Sequence, residues 1–506
     1  MGSSLLFRYC FISSPISIQR LSAFDTTRLT EAYPPFTGDR VIPAESRFSR
    51  VGNRSTFGKN RTLQNNIKMR TIINRHILIT GAGVAGPALA YWLQKYGFTV
   101  TVVEKASSLR RGGYRVDLRG KAVDVASRMG LLAAIQKNST EMRGASLVNK
   151  KGRRVNWNDP NVWGLRQKDD VGILRGDLVD ILYRATKDKV EYIFGDSIVG
   201  MVQTPGHVRV TFASGASRTF DLVVGADGLR SHTRQMVFGD DAGCVKDLGY
   251  FVSIFSIPNT FGLDRWELNY SSAGKVVNVY SKEAKERAKV CLLFSAPDQG
   301  YDHRDIQQQK RMVAEHFITE GWEVPWIVKG MERTPEFYFD SVSQVHLRRL
   351  YRGRIVLLGD AGYCPSPASG QGTSMALVGA FVLAGELALA DGDHQLAFPG
   401  YERNMRGFIQ KNQELAVKIL KDMIPASAAR VWFRSMFLRL LFLLPGKKWI
   451  LRRLLKDVRQ SVDEAANAIQ WKAYPKIPSD AAYYTTSRPG MPWQTTTTAL
   501  LQIADL

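Results

Sequence analysis

The chain has 506 residues, 44% of them apolar, and a formal net charge of +23 at pH 7. This length exceeds one typical domain, and the apolar content is that of a folded globular protein. The positive charge is spread along the chain without an arginine-rich helix or zinc-ligand spacing, which argues against nucleic acid as a partner. The four isolated cysteines form no C-x-x-C pair, so neither a disulfide framework nor a zinc site is indicated.

Residues 1–70 are a basic extension with eleven basic and four acidic residues. This composition is typical of a transit peptide, but sustained amphipathic periodicity is missing, so a dispensable extension is an equal alternative. No long apolar run supports a secretory signal. We therefore expect a cytoplasmic protein, with mitochondrial targeting as the alternative.

Residues 75–104 have the pattern of one dinucleotide-binding unit: an apolar strand, a Gly81-x-Gly83-x-x-Gly86 turn, a helix and a second strand that ends in Glu104. Gly81 permits the tight turn, Gly83 lets backbone N–H groups approach a pyrophosphate, and Gly86 allows close helix–sheet packing. The helix directs its positive end toward the phosphates. Glu104 stands where such units place an acid that accepts hydrogen bonds from a ribose. The sequence therefore predicts dinucleotide binding.

The rest of the chain predicts an α/β fold in which a Rossmann-like domain is interrupted by a second sheet. Strands and helices alternate to about residue 245, residues 248–300 are strand-rich, and dinucleotide-domain signals return with a strand at 354–360 and a helix near 373–390. The predicted divisions are a basic extension (1–70), a cofactor domain in three parts (71–180, 216–245 and 346–420), a mixed or antiparallel substrate domain in two parts (181–215 and 246–345), a C-terminal helical region (421–475) and a disordered tail (476–506).

Residues 431–455 are apolar but interrupted by Arg434, Arg439 and Pro445, which leaves too few uncharged residues in sequence to cross a bilayer. Two alternatives stay open for this segment. It forms a helical pair that covers the cofactor domain, or it rests on an anionic membrane surface through the nearby basic residues.

Three later segments accompany the glycine motif: ILRGDL at 173–178, DLVVGADGLRSHTR at 221–234, and RIVLLGDAG at 354–362, which leads through a proline-rich loop to Gly370-Gln371-Gly372. Taken together over residues 75–420, these segments resemble the class A flavin-dependent monooxygenases, the para-hydroxybenzoate hydroxylase-like group, and within it the tetracycline-inactivating type. The order of the motifs is more specific than any one of them, because NAD dehydrogenases share the glycine fingerprint without the later motifs.

The resemblance implies FAD as the bound cofactor and assigns roles to individual residues. Glu104 would hold the adenosine ribose, while Asp117 in GGYRVDLRG and Arg175 in ILRGDL would contact FAD. Asp227, with Gly228, would lie beside the pyrophosphate, and Asp360 would hydrogen-bond the ribityl chain. Arg110 or Arg111 is the candidate for binding the reduced nicotinamide cofactor.

The resemblance also implies a reaction: NADPH or NADH reduces the flavin, O₂ forms a C4a-hydroperoxide, and one oxygen atom hydroxylates or epoxidises a small, aromatic or polycyclic substrate of the kind found in secondary metabolism. Backbone N–H groups at Gly370, Gly372 and Thr373 would face the pyrimidine side of the ring and stabilise its negative charge. The sequence assigns no catalytic side chain and no metal site. It departs from the family at Ser374, where Asn is common, and at Gly379, where close approach to a neighbouring element would compensate the cost of a helical glycine.

The inserted sheet would form the roof of a substrate cavity. Its aromatic residues are candidates to stack on the substrate, and they are Tyr250, Phe251, Phe255, Trp266, Tyr270, Tyr280, Phe337 and Tyr338. His232 and His346 are candidate acid–base groups for a phenolic substrate. For each of these residues a purely structural role is the alternative.

Three other functions were weighed. A flavin halogenase is disfavoured because the W-x-W-x-I-P motif is missing. A reductase or dehydrogenase on the same fold stays open, because the motifs specify the cofactor more firmly than the fate of oxygen. A degenerate flavin-fold binding protein at a membrane surface is the third alternative. Its site would have decayed, and the retained residues argue against decay: Glu104, Arg175, Asp227 and Asp360. The oligomeric state is not predicted.

Overall fold

The computed structural model describes residues 72–110, 113–157, 169–239, 243–297, 299–443, 449–450, 453 and 455–476. The predictions for residues 1–70 and for the tail from 477 lie outside the described residues. So does Arg111.

Eighteen strands are described in this part of the chain. They are β1 (His76–Thr80), β2 (Thr99–Glu104), β3 (Arg115–Leu118), β4 (Gly144–Val148), β5 (Arg154–Trp157), β6 (Val171–Leu174), β7 (Glu191–Phe194), β8 (Ile198–Gln203), β9 (Val208–Phe212), β10 (Ser217–Phe220), β11 (Leu222–Gly225), β12 (Val245–Ile257), β13 (Trp266–Ser272), β14 (Lys275–Ser281), β15 (Ala288–Ser295), β16 (Phe337–Val345), β17 (Tyr351–Arg352) and β18 (Ile355–Leu357).

The α-helices of the described residues are likewise numbered in chain order. They are α1 (Ala85–Lys95), α2 (Lys121–Arg128), α3 (Leu132–Lys137), α4 (Arg175–Arg184), α5 (His232–Phe238), α6 (Ile306–Phe317), α7 (Val324–Glu332), α8 (Asp360–Tyr363), α9 (Gly372–Leu389), α10 (His394–Met423), α11 (Ala428–Leu443) and α12 (Lys456–Ala466).

The cofactor sheet has six strands in the order β17-β18-β11-β1-β2-β7, and all neighbours pair in parallel except β17. Ile77, Leu78 and Ile79 in β1 are fully buried. Such an unbroken apolar run is needed where helices or other strands cover both faces of a parallel sheet. The adjacent core includes residues of α1, α2, α4, α9 and α10. The carboxyl ends of β1, β2, β11 and β18 consequently meet at one edge, where open α/β sheets bind ligands.

The largest sheet has seven strands in the order β16-β12-β15-β14-β13-β4-β5. Helices α6 and α7 cover one face, where Phe251, Phe294, Phe317 and Ile327 share a core. Residues of the opposite face, including Val252 and Leu293, pack with α10. The second sheet that the sequence predicted is therefore present.

The strands are grouped differently from the predicted domain boundaries in two places. β4 and β5 lie in the range assigned to the cofactor domain, but β4 pairs with β13 in the large sheet. β8, β9 and β10 lie within or near the range 181–215 assigned to the substrate domain, yet they form a separate three-stranded sheet. Its Val208 and Phe212 share a core with Leu78 of β1. Local sequence patterns cannot reveal such long-range pairing, so the predicted boundaries stay a prediction.

Among the described helices, α9 alone has the length and apolar composition of a membrane span, and 78% of it is buried inside the protein. That burial is the pattern of a core helix. Glu386 of α9 accepts hydrogen bonds from Lys472 Nζ at 2.5 Å and Tyr474 Oη at 3.1 Å. These bonds anchor the segment after α12 to the helix that begins at the candidate site.

Candidate functional site

The glycine motif forms the turn between β1 and α1, and two of its glycines are sterically required. Gly81 has φ +95°, and a Cβ there would lie 2.7 Å from the carbonyl oxygen of Ala226. A Cβ on Gly86 would lie 2.0 Å from the carbonyl oxygen of Gly81. The first contact joins the glycine turn to the Asp227 turn, and the second lets α1 start directly beneath the loop.

Glu104 closes this turn from the end of β2. Its carboxylate accepts hydrogen bonds from the backbone N–H of Ala82 at 2.8 Å and of Ala106 at 3.0 Å. Each carboxylate oxygen can accept more than one hydrogen bond, so capacity for a ribose hydroxyl is retained. Glu104 therefore has a structural role in the loop beside the ribose-binding role that the sequence predicts.

Arg175 lies over the same turn. It is the first residue of α4, and its backbone N–H donates to the Tyr114 carbonyl at 2.9 Å. The guanidinium Nη2 stands 3.1 Å from the position that a Cβ on Gly83 would occupy. Gly83 thus makes room for a cation beside the predicted phosphate site, where a guanidinium can pair with phosphate oxygens.

The Asp227 turn is held together by its own side chains. The Asp227 carboxylate accepts from Ser231 Oγ at 2.5 Å and from the N–H and Oγ1 of Thr233 at 2.9 and 3.0 Å. Ser231 in turn caps α5 by accepting from the N–H of Arg234 at 2.9 Å. Asp227 thus fixes the conformation of this turn beside the predicted pyrophosphate position.

Arg234 fastens the Asp227 turn to the segment after β18. It is fully buried, and its guanidinium donates to the carbonyls of Ala361 at 2.9 Å and Leu229 at 2.7 Å. Sequence reasoning treated Arg234 as part of a motif without giving it a role. The structure shows that it joins two cofactor motifs.

Asp360 lies at the start of α8, on the wall of a deep cleft. Its side chain is accessible to solvent although protein surrounds it closely, and we infer from these two observations that it lines a cleft. Burial raises the pKa of Asp360, and the charge of Arg175 acts in the opposite direction. Burial raises the pKa of Tyr114, and the charges of Arg175 and Asp360 also act on it, so the start of β3, α4 and α8 converge here.

Cys364 contributes a buried thiol to this cleft. Burial raises its pKa well above the usual thiol value, and the neighbouring carboxylate of Asp360 raises it further. The protonated thiol is therefore favoured over a reactive thiolate.

The loop before α9 completes the cleft. Gly370 is in the left-handed region with φ +63°, and a Cβ on Gly372 would stand 3.7 Å from Asp360 Oδ1. Gln371 is fully buried, and neither its Nε2 nor its Oε1 has a hydrogen-bond partner among the described residues. A buried amide is costly without partners. A polar ligand such as the flavin ring edge would satisfy Gln371, so the loop fits the cofactor, and this residue was missed by sequence reasoning.

Ser374 connects α9 to β3. Its hydroxyl donates to the Asp117 carbonyl at 3.2 Å and accepts from the N–H of Arg119 at 3.1 Å. The Asp117 carboxylate pairs with Arg119 at 2.8 Å, and Arg119 Nη2 lies 3.9 Å from the Cβ position of Gly370. Arg119 is thus a buried site residue that sequence reasoning missed, although the motif containing Asp117 was recognised.

The cleft face of the large sheet carries alternate residues of its strands. Ile254 is paired with both Cys291 and Tyr338, and Cys291 with Asn278, so these four side chains share one face. The ring of Tyr338 lies 6.0 Å from that of Tyr114, the residue before β3. The large sheet and the cofactor domain therefore meet at this pair of tyrosines.

A chain of polar groups crosses the same face. Arg115 pairs with Glu267 at 2.7 Å, and its backbone N–H donates to Tyr280 Oη at 2.9 Å. Asn278 Nδ2 donates to Glu267 Oε2 at 3.2 Å and to Asn269 Oδ1 at 2.8 Å. Burial alone would lower the pKa of the Arg115 guanidinium, but the carboxylates of Glu267 and Asp117 raise it above its usual value. The roof thus presents fixed charge and amide groups beside aromatic rings.

Arg230 links the Asp227 turn to the roof. Its Nη2 donates to Asp340 Oδ1 at 2.7 Å, and the same oxygen accepts from Tyr301 Oη at 2.7 Å. The guanidinium also lies over the Tyr301 ring. The Asp227 turn therefore contacts two parts of the protein: Arg234 bonds to the segment after β18, and Arg230 bonds to the large sheet.

Some aromatic residues predicted for the substrate cavity lie elsewhere. Phe251, Phe255 and Tyr270 are buried in the core beneath α6 and α7, on the face away from the cleft. That part of the prediction was wrong because a central strand is buried on both faces, so alternation alone does not identify the cleft side. Trp266 and Phe337 are partly buried against this same core.

The two candidate histidines and Arg110 are exposed, and no hydrogen bond or ion pair of the described residues joins their side chains to the cleft. His232 is exposed at the start of α5, and His346 is exposed with Nε2 3.0 Å from Gln344 Oε1. Arg110 is exposed after β2. The nicotinamide role of Arg110 stays a prediction, as do the acid–base roles of the histidines. Among the described residues, no group of three His, Cys, Asp or Glu side chains is placed to hold a metal ion.

Comparison with known proteins agrees with the FAD site. A family model described as an FAD binding domain matches residues 74–395. A flavin-dependent monooxygenase of Legionella longbeachae is 39% identical over 351 residues, which are 69% of this chain and 90% of that protein. An uncharacterised protein of Mycobacterium tuberculosis is 43% identical over 354 residues, 70% of this chain and 94% of its own.

Among solved structures, tetracycline destructase Tet(55) superimposes with a TM-score of 0.69 at 36% identity, and the match covers 80% of this chain and 100% of Tet(55). The fold and site thus define an FAD-binding oxidoreductase. The chain belongs to the family of flavin-dependent monooxygenases with this FAD binding domain, in the class A group that the motifs indicated. Family membership favours a monooxygenase over the reductase and the non-catalytic alternatives.

Proposed function

We propose that this monooxygenase uses NADH or NADPH and O₂ to hydroxylate or epoxidise a small polycyclic or aromatic substrate that carries several hydrogen-bonding groups. The structural observation that carries the substrate class is the cleft face of the large sheet. There the Tyr114–Tyr338 ring pair adjoins the polar chain from Arg115 through Glu267 to Asn278. Rings suit a flat apolar substrate, and polar groups at fixed positions orient it.

Bound FAD would take a hydride from the nicotinamide donor and activate O₂, so that one oxygen atom enters the substrate and the other leaves as water. The residues of this chain hold and shield that chemistry. Arg175 and the glycine turn would bind the pyrophosphate, and Asp360 would bind the ribityl chain. The N–H groups at the start of α9 would stabilise negative charge on the ring. The roof would exclude water from the reacting atoms.

The similarity to a tetracycline destructase supports a polycyclic, oxygen-rich substrate. Such a molecule has enol, hydroxyl and amide groups that match the donors and acceptors of Asn278, Asn269 and Arg115. Fixed polar groups reject analogues that lack the matching substituent, since the protein groups would be left unpaired. The polar chain would therefore select among substrates of similar shape.

The purified holoenzyme tests this proposal through O₂ uptake and NAD(P)H oxidation with tetracyclines, polycyclic phenols and simple phenols. We expect a tetracycline or another polar polycycle to accelerate NAD(P)H oxidation and to gain one oxygen atom by mass spectrometry. Acceleration by simple phenols alone would contradict the proposed substrate class. NAD(P)H oxidation that yields only hydrogen peroxide with every compound would contradict the oxygen transfer.

A pair of variants separates the two faces of the sheet. Asn278→Leu should raise KM about tenfold or more for the best substrate, the effect of about 1.4 kcal/mol, and leave FAD content unchanged. Tyr270→Phe is the control, because Tyr270 lies on the core face and donates to Glu320. An equal effect of both variants on KM would contradict the assignment of the cleft face.

A further inference from the structure

Helix α11 carries an exposed apolar stripe that the monooxygenase function leaves unexplained. Trp432, Phe433, Met436 and Leu440 are between 43% and 62% exposed. At about 100° per residue these four positions lie within roughly 100° of the helix circumference. Val431, Arg434 and Phe437 are half-buried on the other side of the helix. We call the four exposed residues the α11 patch.

The α11 patch lies in the most one-sidedly charged part of the C-terminal region. Between Asp422 and Asp457 the sequence contains no acidic residue. Basic residues in the same interval are Arg430, Arg434, Arg439, Lys447, Lys448, Arg452, Arg453 and Lys456. Within this interval, Arg430 is exposed next to the patch. Apolar and cationic groups therefore occur together without acidic neighbours in sequence.

A further aromatic residue of this interval, beyond the α11 patch, is also exposed to solvent. Trp449 is 66% exposed, and the guanidinium of Arg453 lies 5.6 Å from the centre of its ring. Tryptophan and arginine suit the boundary between lipid headgroups and acyl chains, because one part of each side chain is apolar and the other is polar. Trp449 and Arg453 thus repeat the combination of an exposed aromatic ring and a nearby cation that is found at the α11 patch.

We propose that the α11 patch docks this enzyme on an anionic membrane surface. The apolar stripe would enter the headgroup region while exposed cationic side chains of the same interval, such as Arg430 and Arg453, contact acidic lipids. The charges favour lipid over a second copy of the chain. A two-fold interface would place the same cationic surface against itself, on a protein whose net charge is already +23.

Vesicle co-sedimentation of the FAD-loaded full chain tests this proposal. We expect binding to phosphatidylcholine vesicles that contain about 30% phosphatidylglycerol, and weak or no binding to phosphatidylcholine alone. Binding should fall as salt is raised to about 0.5 M, because screening weakens the contribution of the arginines. Absence of binding to the anionic vesicles, or equal binding to both kinds, would overturn the proposal.

Two variants distinguish binding through the α11 patch from general electrostatic attraction between a basic protein and anionic lipid. Trp432→Ser combined with Phe433→Ser should weaken binding to anionic vesicles about tenfold or more, since two inserted rings are lost. Trp326→Ser is the matched control, because Trp326 is a 37% exposed tryptophan on α7 of the large-sheet unit. An unchanged flavin absorption spectrum and Tm in each variant shows that the fold is intact. Equal losses in both variants would overturn the role of the patch.

A homotypic interface is the competing outcome. If light scattering shows a dimer that Trp432→Ser with Phe433→Ser converts to a monomer, and vesicle binding is unaffected, the patch joins two copies of the chain and the membrane proposal is wrong. A change of vesicle binding without a change of mass supports the proposal.

Discussion

Arg175 rests against Gly83, its Nη2 only 3.1 Å from where a Cβ on that glycine would begin. Two motifs that are far apart in the sequence therefore form one surface at the predicted pyrophosphate site, a glycine turn with a guanidinium above it. The central glycine of the fingerprint keeps space for this side chain as well as for the ligand.

Gly83→Ala should weaken FAD binding about tenfold, because the new methyl group displaces the end of Arg175 from the predicted pyrophosphate position, and a charge-assisted hydrogen bond contributes on the order of 1.5–3 kcal/mol. Fluorescence titration of the apoprotein with FAD measures the effect. Gly407→Ala is the control, since no atom lies within 4 Å of that Cβ position. Arg175→Ala should add little to the loss in the double variant, and full additivity would show that the two residues act independently.

Asp360→Asn should reduce FAD affinity and raise the stability of the apoprotein at pH values above the ordinary carboxyl pKa of 3.8. Burial raises the pKa of Asp360, so the folded state takes up a proton before the unfolded state does. The free energy of unfolding therefore falls as pH rises through the interval above the ordinary pKa of 3.8. The side chain of the Asp360→Asn variant carries no charge, so its free energy of unfolding does not fall with pH for this reason.

Melting curves of the two apoproteins from pH 4 to 8 check this prediction, with an expected increase of Tm on the order of 2 °C at pH 7 for Asp360→Asn. Asp124→Asn serves as a surface control, because Asp124 is half-exposed and paired with Lys121. Tighter FAD binding by Asp360→Asn would argue against a ribityl contact for the carboxylate.

Ser374→Ala should lower the free energy of unfolding by about 1–2 kcal/mol, because the hydroxyl joins the Asp117 carbonyl to the N–H of Arg119. FAD should dissociate faster, since β3 and α9 lose a direct connection beside the cleft. Urea denaturation and stopped-flow release of FAD provide the two readouts. Ser435→Ala, an exposed helical serine, should change neither one.

Gly379→Ala should destabilise the protein even though alanine is the better helix former by about 1 kcal/mol. A Cβ at this position would lie 2.0 Å from Tyr363 Oη and 3.1 Å from Leu358 Cδ1. This contact confirms the close approach that the sequence analysis expected. Tyr363→Phe removes the nearest atom, so it should recover part of the stability lost in Gly379→Ala, whereas no recovery in the double variant would place the strain elsewhere.

Much of the cofactor half could be predicted because its signals are local. The run from Ile77 to Glu104 combines strand, glycine turn and helix within one stretch, and each element forms where the pattern places it. Gly81 and Gly86 are required by contacts within or beside their own turn. Family membership then supported FAD and the monooxygenase class.

The large sheet was harder to predict because its strands pair with partners that are far away in the sequence. β4 joins β13 across more than a hundred residues, and Phe251 and Val252 are both buried on opposite faces of one strand. Gln371 and Arg119 were missed for another reason. Their importance lies in burial and in polar groups that face the cleft, and neither property can be read from residue type alone.

The arrangement of the cleft also has a consequence for the synthesis of the protein. The glycine turn, Arg175, the Asp227 turn and Asp360 leave the ribosome in that order, and five of the seven strands of the large sheet, β12 to β16, are made between the last two. We expect a growing chain to retain FAD only after α9 has emerged and packed against β3, because both elements border the predicted cofactor site. Flavin capture would then be a late step of biogenesis, and in a cell short of flavin completed chains would fold around an unfilled cofactor site.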